Sequence, residues 1–204
     1  VNRSVVTTPT EIVKYMTAKT LGNLCAGKTP DEIKQLRIAD IACGSGIFLD
    51  ETYNFLIQYC VDWYQVHQPE YLIETSGGMK KLPLEDKKTI LLSCIYGIDI
   101  DIHAVEVAKF SLLIKLIEDE TTPSVEASNP ILPNLENNIV YGNSLVSYEE
   151  SAHEIISTID LIDIVPFDWQ GINDGNLFDA IIGNPPYVNT ENMHLLLPAK
   201  EFDL

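Results

Sequence analysis

The sequence predicts an α/β fold built on a mostly parallel sheet flanked by helices. Three observations carry that expectation. Short apolar runs at 36–41, Ile95–Asp99, Ile139–Tyr141 and 178–183 read as buried strands. Amphipathic stretches separate the first three, so strand and helix alternate. Each strand runs into small or polar residues: 40–46, Asp99, Asn143, and Asn184-Pro185-Pro186-Tyr187. In a parallel sheet these clusters converge on one edge, where ligands bind.

Thr8-Pro9-Thr10-Glu11 combines an N-cap Thr, a Pro at the first helical position and a Glu at the third. That is a capping box, and Ile12, Val13, Tyr15 and Met16 follow at helical spacing. Thr29-Pro30-Asp31-Glu32 repeats the logic for a short second helix. The first strand, 36–41, breaks at Ala42-Cys43-Gly44-Ser45-Gly46, and a long amphipathic helix runs from Ile47 to about His67. Residues 74–83, with Gly77-Gly78 and Pro83, read as a loop. A helix from near Leu84 reaches Cys94, the strand Ile95–Asp99 follows, and Asp101 caps a helix over 102–118. Residues 119–137 hold three prolines and read as a long loop. The third strand, Ile139–Tyr141, ends at Gly142-Asn143-Ser144-Leu145. A helix is expected near 149–159, a turn at 171–175, and then the fourth strand.

A chain of 204 residues suffices for one globular domain with a sizeable core. Cys25, Cys43, Cys60 and Cys94 form no Cys-x-x-Cys pair, and His67, His103, His153 and His194 are scattered. That usage predicts a reducing, cytoplasmic setting and neither a disulfide framework nor a metal site. No apolar run reaches the ~18 residues of a membrane span, and no signal peptide opens the chain. Val1 stands where Met would begin a gene product, and Leu204 follows Tyr187 by 17 residues, so the sequence reads as part of a longer protein. The net charge is −17; between Lys115 and Lys200 there are 14 acidic residues and no Lys or Arg. Phosphate binding needs clustered cations, so charge alone argues against a grip on nucleic acid.

The turn at 40–46 offers a ligand close access to backbone and to the donors of a helix N-terminus. A plain structural turn is its alternative. A dinucleotide fingerprint fails because Leu49 takes the place of the third glycine, and no Gly-Lys-Ser/Thr marks a phosphate loop. Asp99 can accept from both hydroxyls of a ribose or can cap a helix; Asp101 suits the cap better. The sharpest signal is Asn184-Pro185-Pro186-Tyr187. Two prolines after a buried strand stop the ladder and fix a rigid turn. The Asn oxygen and a backbone carbonyl can then accept from one planar amine, aiming its lone pair at an electrophilic methyl. Tyr187 can stack on the ring that bears the amine. A mere turn is the bland reading, and it loses ground beside the glycine turn.

These residues resemble the amino-methyltransferases that use S-adenosyl-L-methionine, particularly the DNA adenine-N6 methyltransferases of the gamma arrangement. There the cofactor motifs precede a target-recognition domain. The resemblance covers nearly the whole chain in the family's order. It implies that Thr8, within Thr8-Pro9-Thr10-Glu11-Ile12-Val13-Lys14-Tyr15-Met16, lies near the methionine carboxylate. It implies a cofactor loop of Asp40, Ala42, Cys43, Gly44 and Gly46 with Phe48 against the cofactor, Asp99 on the ribose and Asn143 near the adenine amino group. Asn184, Pro185, Pro186 and Tyr187 are implied as the catalytic motif.

Pro133-Asn134-Leu135, Asn138-Ile139, Gly142-Asn143-Ser144-Leu145 and Pro166-Phe167-Asp168-Trp169 look like the methyltransferase part of large restriction–modification polypeptides. The implied fold is a partial Rossmann-like methyltransferase sheet, its strands ordered third, second, first, fourth. Residues 1–204 would be the N-terminal, cofactor-binding part, with the remaining strands and the recognition domain elsewhere. The fourth strand would then be an exposed apolar edge, so the isolated chain is expected to self-associate and to be inactive. DNA would be gripped mainly by the recognition domain, which answers the charge objection. No Pro-Asp…Asp/Glu-x-Lys nuclease signature is visible, so cleavage is not assigned. Two rivals stay open. A protein-glutamine or ribosomal RNA N-methyltransferase shares the Asn-Pro-Pro-Tyr turn, and a non-catalytic interaction module could retain the fold.

Overall fold

The computed structural model describes residues 8–75, 77–121, 124–125, 128–147, 165–168, 171–172 and 175–186. Helices α1 (Thr10–Cys25) and α2 (Pro30–Ile33) lead into β1 (Ile38–Asp40) and α3 (Ile47–His67). A 3-10 turn (Pro69–Tyr71) and the short strands β2 (Ile73–Glu74) and β3 (Lys80–Lys81) precede α4 (Leu84–Cys94). Then come β4 (Ile95–Asp99), α5 (Ile102–Ile117), β5 (Ile139–Tyr141), β6 (Asn143–Ser147), β7 (Pro166–Phe167) and β8 (Ala180–Ile181).

The four predicted strands form one sheet in the order β5-β4-β1-β8, every pairing parallel. Successive strand residues point to opposite faces. Ile38, Ile95 and Ile139 therefore join the core beneath the helices, while Ala39, Tyr96 and Ile98 join a second cluster with Phe167 and Ile172 on the other face. On the helical side α1 buries Val13, Thr17, Leu21 and Cys25, one residue per turn. Helix α3 buries Tyr53, Leu56 and Cys60, and α5 buries Val105, Ala108, Leu112 and Leu116. Burying each large apolar side chain contributes about 1.5–3 kcal/mol. Because both faces are covered, the strands read as continuous apolar runs.

Two helix starts follow the sequence. Thr29 and Glu32 form a complete capping box for α2, and the Asp101 carboxylate accepts from the His103 and Ala104 N–H groups at the start of α5. The capping box expected at Thr8 does not form. Pro9 is the N-cap of α1 and no side chain caps it. The Ile12 and Val13 N–H groups donate to the Pro9 carbonyl at 2.9 and 3.1 Å, Thr10 and Glu11 before them are exposed, and the Thr8 hydroxyl is bonded elsewhere. Ile12 and Tyr15, counted as part of the apolar stripe, are 49% and 65% exposed.

Residues 74–83 are not wholly loop, because β2 and β3 pair as an antiparallel hairpin. Asn143 opens a further strand, β6, which pairs in parallel with β7. Strands β2, β3 and β7 have two residues each, too short to show a period of two. Glu120, at the start of the 119–137 loop, is held by Lys81 at 2.7 Å and by Lys87. The helix expected near 149–159 and Tyr187 lie outside the described residues. Among those described, no helix is long and apolar enough to cross a membrane, and no His, Cys, Asp and Glu group is placed to hold a metal.

Candidate active site

Parallel pairing brings the carboxyl ends of β1, β4, β5 and β8 to one edge of the sheet. Asp40 is the last residue of β1, 2% exposed, and its Oδ1 accepts the Ala42 N–H at 3.0 Å. Asp99 ends β4 and binds the chain on both sides. Its Oδ2 accepts the Gly44 N–H at 2.7 Å, and its Oδ1 accepts the Asp101 N–H at 2.8 Å. Since Asp101 caps α5, Asp99 is free of that duty, as its position suggested. Each Asp99 oxygen keeps a second lone pair for a ligand.

The turn between Asp40 and α3 is shaped by two glycines with different reasons. Gly44 has φ 53° and nothing within 4 Å of where a Cβ would stand, so its backbone lies open to an incoming group. Gly46 has φ 91°, and a Cβ there would lie 3.0 Å from the Ala108 Cβ. Its smallness serves the close approach of α3 and α5. Cys43 is also structural in its setting: it is 4% exposed, and its N–H donates to the Ile98 carbonyl at 2.9 Å. Burial, then the nearby Asp40 and Asp99 charges, pushes its thiol pKa far up, so it stays a neutral thiol. Phe48, 2% exposed, packs in the helical core.

The end of β5 is tied to this turn. The Gly142 N–H donates to the Asp99 carbonyl at 2.9 Å, and the Ser144 hydroxyl donates to the Ile41 carbonyl at 2.7 Å. Asn143 Oδ1 accepts the Leu145 N–H at 3.1 Å, a local turn that orients its side chain. Ser144 was not singled out from the sequence; a hydroxyl beside Asn143 carries no signal until the strands are placed.

At the end of β8 the Ile182 N–H donates to the Ala39 carbonyl at 2.9 Å, carrying the ladder up to Gly183. A Cβ at Gly183 would fall well inside contact distance of the Asp40 carboxylate. The two sharpest motifs therefore touch, through a glycine that carries no signal until the strands are paired. Gly183→Ala is expected to cost about 1–3 kcal/mol by overpacking. Equal denaturation midpoints for the two proteins would show that Asp40 yields instead. Asn184 follows, and its Nδ2 donates to Thr8 Oγ1 at 3.0 Å. Pro185 and Pro186 are exposed at the turn.

Burial is the largest influence on Asp40, raising its pKa from 3.8 to about 7; the Ala42 N–H opposes this and Asp99 adds to it. Neither Asp40 nor Asp99 forms an ion pair among the described residues. Two carboxylates at an open glycine turn suit a ligand with a cationic group and hydroxyls. The donor set thus fits a nucleoside cofactor bearing a sulfonium and an ammonium.

A parallel sheet in this strand order, with acids at its strand ends and a glycine turn between them, defines a methyltransferase-like α/β domain. The chain belongs to the Eco57I restriction-modification methylase family, whose model matches residues 93–202. It is 42% identical to the type II restriction enzyme and methyltransferase RM.Eco57I of Escherichia coli over all 204 residues. The chain spans 20% of that relative's length. Its fold is similar to a nuclease-deletion mutant of the Type ISP restriction-modification enzyme LlaGI, solved with a DNA substrate mimic. There the TM-score is 0.54 at 16% identity, over 91% of this chain and 13% of that one.

Proposed function

We propose that this chain carries the cofactor site and catalytic turn of a restriction–modification methyltransferase that methylates the N6 amine of adenine in DNA. The observation that carries the reading is that Gly183, the residue before Asn184, lies against the Asp40 carboxylate at the sheet edge where Asp99 holds the glycine turn. S-adenosyl-L-methionine, when bound, supplies an electrophilic methyl group. Asp99 accepts from the cofactor's ribose hydroxyls, the backbone around Gly44 lines its path, and Asp40 faces its positive charge. Asn143 serves its adenine ring. Asn184 Oδ1 and the Pro185 carbonyl accept from the two hydrogens of the target amine. Those bonds orient the amine and localise its lone pair toward the electrophilic methyl, so the chain acts by positioning and electrostatics. Tyr187 stacks on the target base once it leaves the duplex.

Asp40 makes the reading pH-dependent. Its pKa is raised on folding, so the unliganded fold favours the protonated acid: the contribution of Asp40 to stability is fully present below about 4 and is lost as the pH rises through about 7. A cationic ligand needs the carboxylate. Cofactor affinity is therefore expected to drop about tenfold from pH 8 to pH 6, following the ionised fraction of a group titrating near 7. Asp40→Asn should bind more weakly and without that pH dependence. Calorimetric titration across the range tests this, and a slope retained by Asp40→Asn would count against it.

The net charge of −17 favours a protein substrate over nucleic acid. The family membership and the DNA-acting relatives favour DNA, with phosphate contacts made outside this acidic chain. Offering the full-length protein DNA, RNA and a glutamine-bearing peptide, with tritiated S-adenosyl-L-methionine, decides between them. Label entering the peptide alone would replace the proposed substrate.

A further inference from the structure

Resting on the methyltransferase reading, we propose that Thr8 is a positioning residue that selects which arm of the Asn184 carboxamide faces the substrate. A carboxamide has one accepting arm and one donating arm. Only Oδ1 can take a hydrogen from an amine; turned over, the group would set its own NH2 against the substrate's NH2. The terminal amide torsion is soft and roughly two-fold, so covalent structure does not choose between the two. The fold chooses. Asn184 Nδ2 donates to Thr8 Oγ1 at 3.0 Å, a bond that spans 176 residues and joins the segment before α1 to the end of β8.

Two features make this contact more than incidental. Thr8 is 9% exposed, so water competes poorly for its hydroxyl. It also stands where an N-cap Thr would serve α1, yet Pro9 takes the cap and α1 has no side-chain cap at all. The hydroxyl is withdrawn from helix capping and given to Asn184. Holding the flipped amide would require that hydroxyl to turn and donate. The observed arrangement instead uses it as an acceptor and leaves its proton for a third group.

Thr8→Val keeps the shape and removes the hydroxyl; Thr8→Ser keeps the hydroxyl. In the full-length protein, Val is expected to lower kcat about tenfold, the effect of losing one orienting hydrogen bond, a larger change than any rise in KM for the cofactor. Ser should restore most of the rate. Equal loss in Val and Ser, an unchanged kcat in Val, or an effect confined to the cofactor KM would each overturn the assignment. If the unsubstituted protein methylates none of the offered acceptors, the underlying reading fails and the positioning is judged separately. The Asn184 side-chain amide signal in 15N-asparagine-labelled protein should then shift in Thr8→Val, and an unmoved signal refutes the bond.

Discussion

Asn184→Ala is expected to cut methyl transfer by about a hundred- to a thousand-fold, the usual cost of losing one preorganised polar group at a reacting centre. Cofactor affinity should stay within a few-fold, because Asn184 bonds Thr8 while the loop's hydrogen bonds run through Asp40 and Asp99. Asn184→Asp is the sharper variant. It retains an acceptor but adds a charge one residue from the contact of Gly183 with the buried Asp40 carboxylate, so it should impair binding as well as rate. A steady-state comparison of kcat and cofactor dissociation constant checks both. Near-normal turnover in Asn184→Ala would remove that residue from the chemistry.

Asp99→Ala is expected to have the opposite signature. With Asp99 in its proposed place on the ribose hydroxyls, losing the carboxylate costs on the order of ten- to a hundred-fold in cofactor affinity. The geometry adds a second cost. Asp99 also pins the Gly44 and Asp101 N–H groups, so the cofactor loop and the start of α5 loosen together. Asp99→Asn should be milder, since its one amide oxygen can keep one of those two bonds. Calorimetry with S-adenosyl-L-methionine, paired with thermal unfolding, separates the two costs. Cofactor affinity equal to that of the unsubstituted protein would end the proposed role of Asp99.

Three strands of the sheet were legible because they are covered on both faces, while β8 leaves Ile181 exposed. Ile38-Ala39, Ile95-Tyr96 and Ile139-Val140 each send one residue to the helical core and one to the second cluster, leaving short apolar runs closed by polar residues. Local chemistry was legible too where partners are near in sequence, as with Thr29 and Glu32 or Asp101 and Ala104. The same grammar misled at Thr8, because its competing partner stands 176 residues away. The hairpin β2–β3 escaped because Ile73 and Glu74 are both exposed and carry no buried-face pattern.

The candidate site divides along the same line. Asp40, Asp99, Asn143 and Asn184 are visible as polar residues closing apolar strands, and the sheet brings their strand ends to one edge. What holds them there is not visible. Gly183 against Asp40, and Ser144 on the Ile41 carbonyl, are contacts between segments about 100 or more residues apart. Gly46 and Cys43 look like loop chemistry in the sequence and also serve packing, against Ala108 and under β4 respectively. Spacing alone could not tell a glycine that admits a ligand from one that admits a helix.

The central claim is that an adenine amine in DNA receives the methyl group at Asn184. The direct measurement is to incubate the full-length protein with DNA and S-adenosyl-L-methionine carrying a labelled methyl group. The DNA is then digested to nucleosides and the labelled species identified by mass spectrometry. Label is expected in N6-methyl-2′-deoxyadenosine, and is expected to be absent with Asn184→Ala. Label on cytosine, on RNA or on protein, with adenine unlabelled, would contradict it.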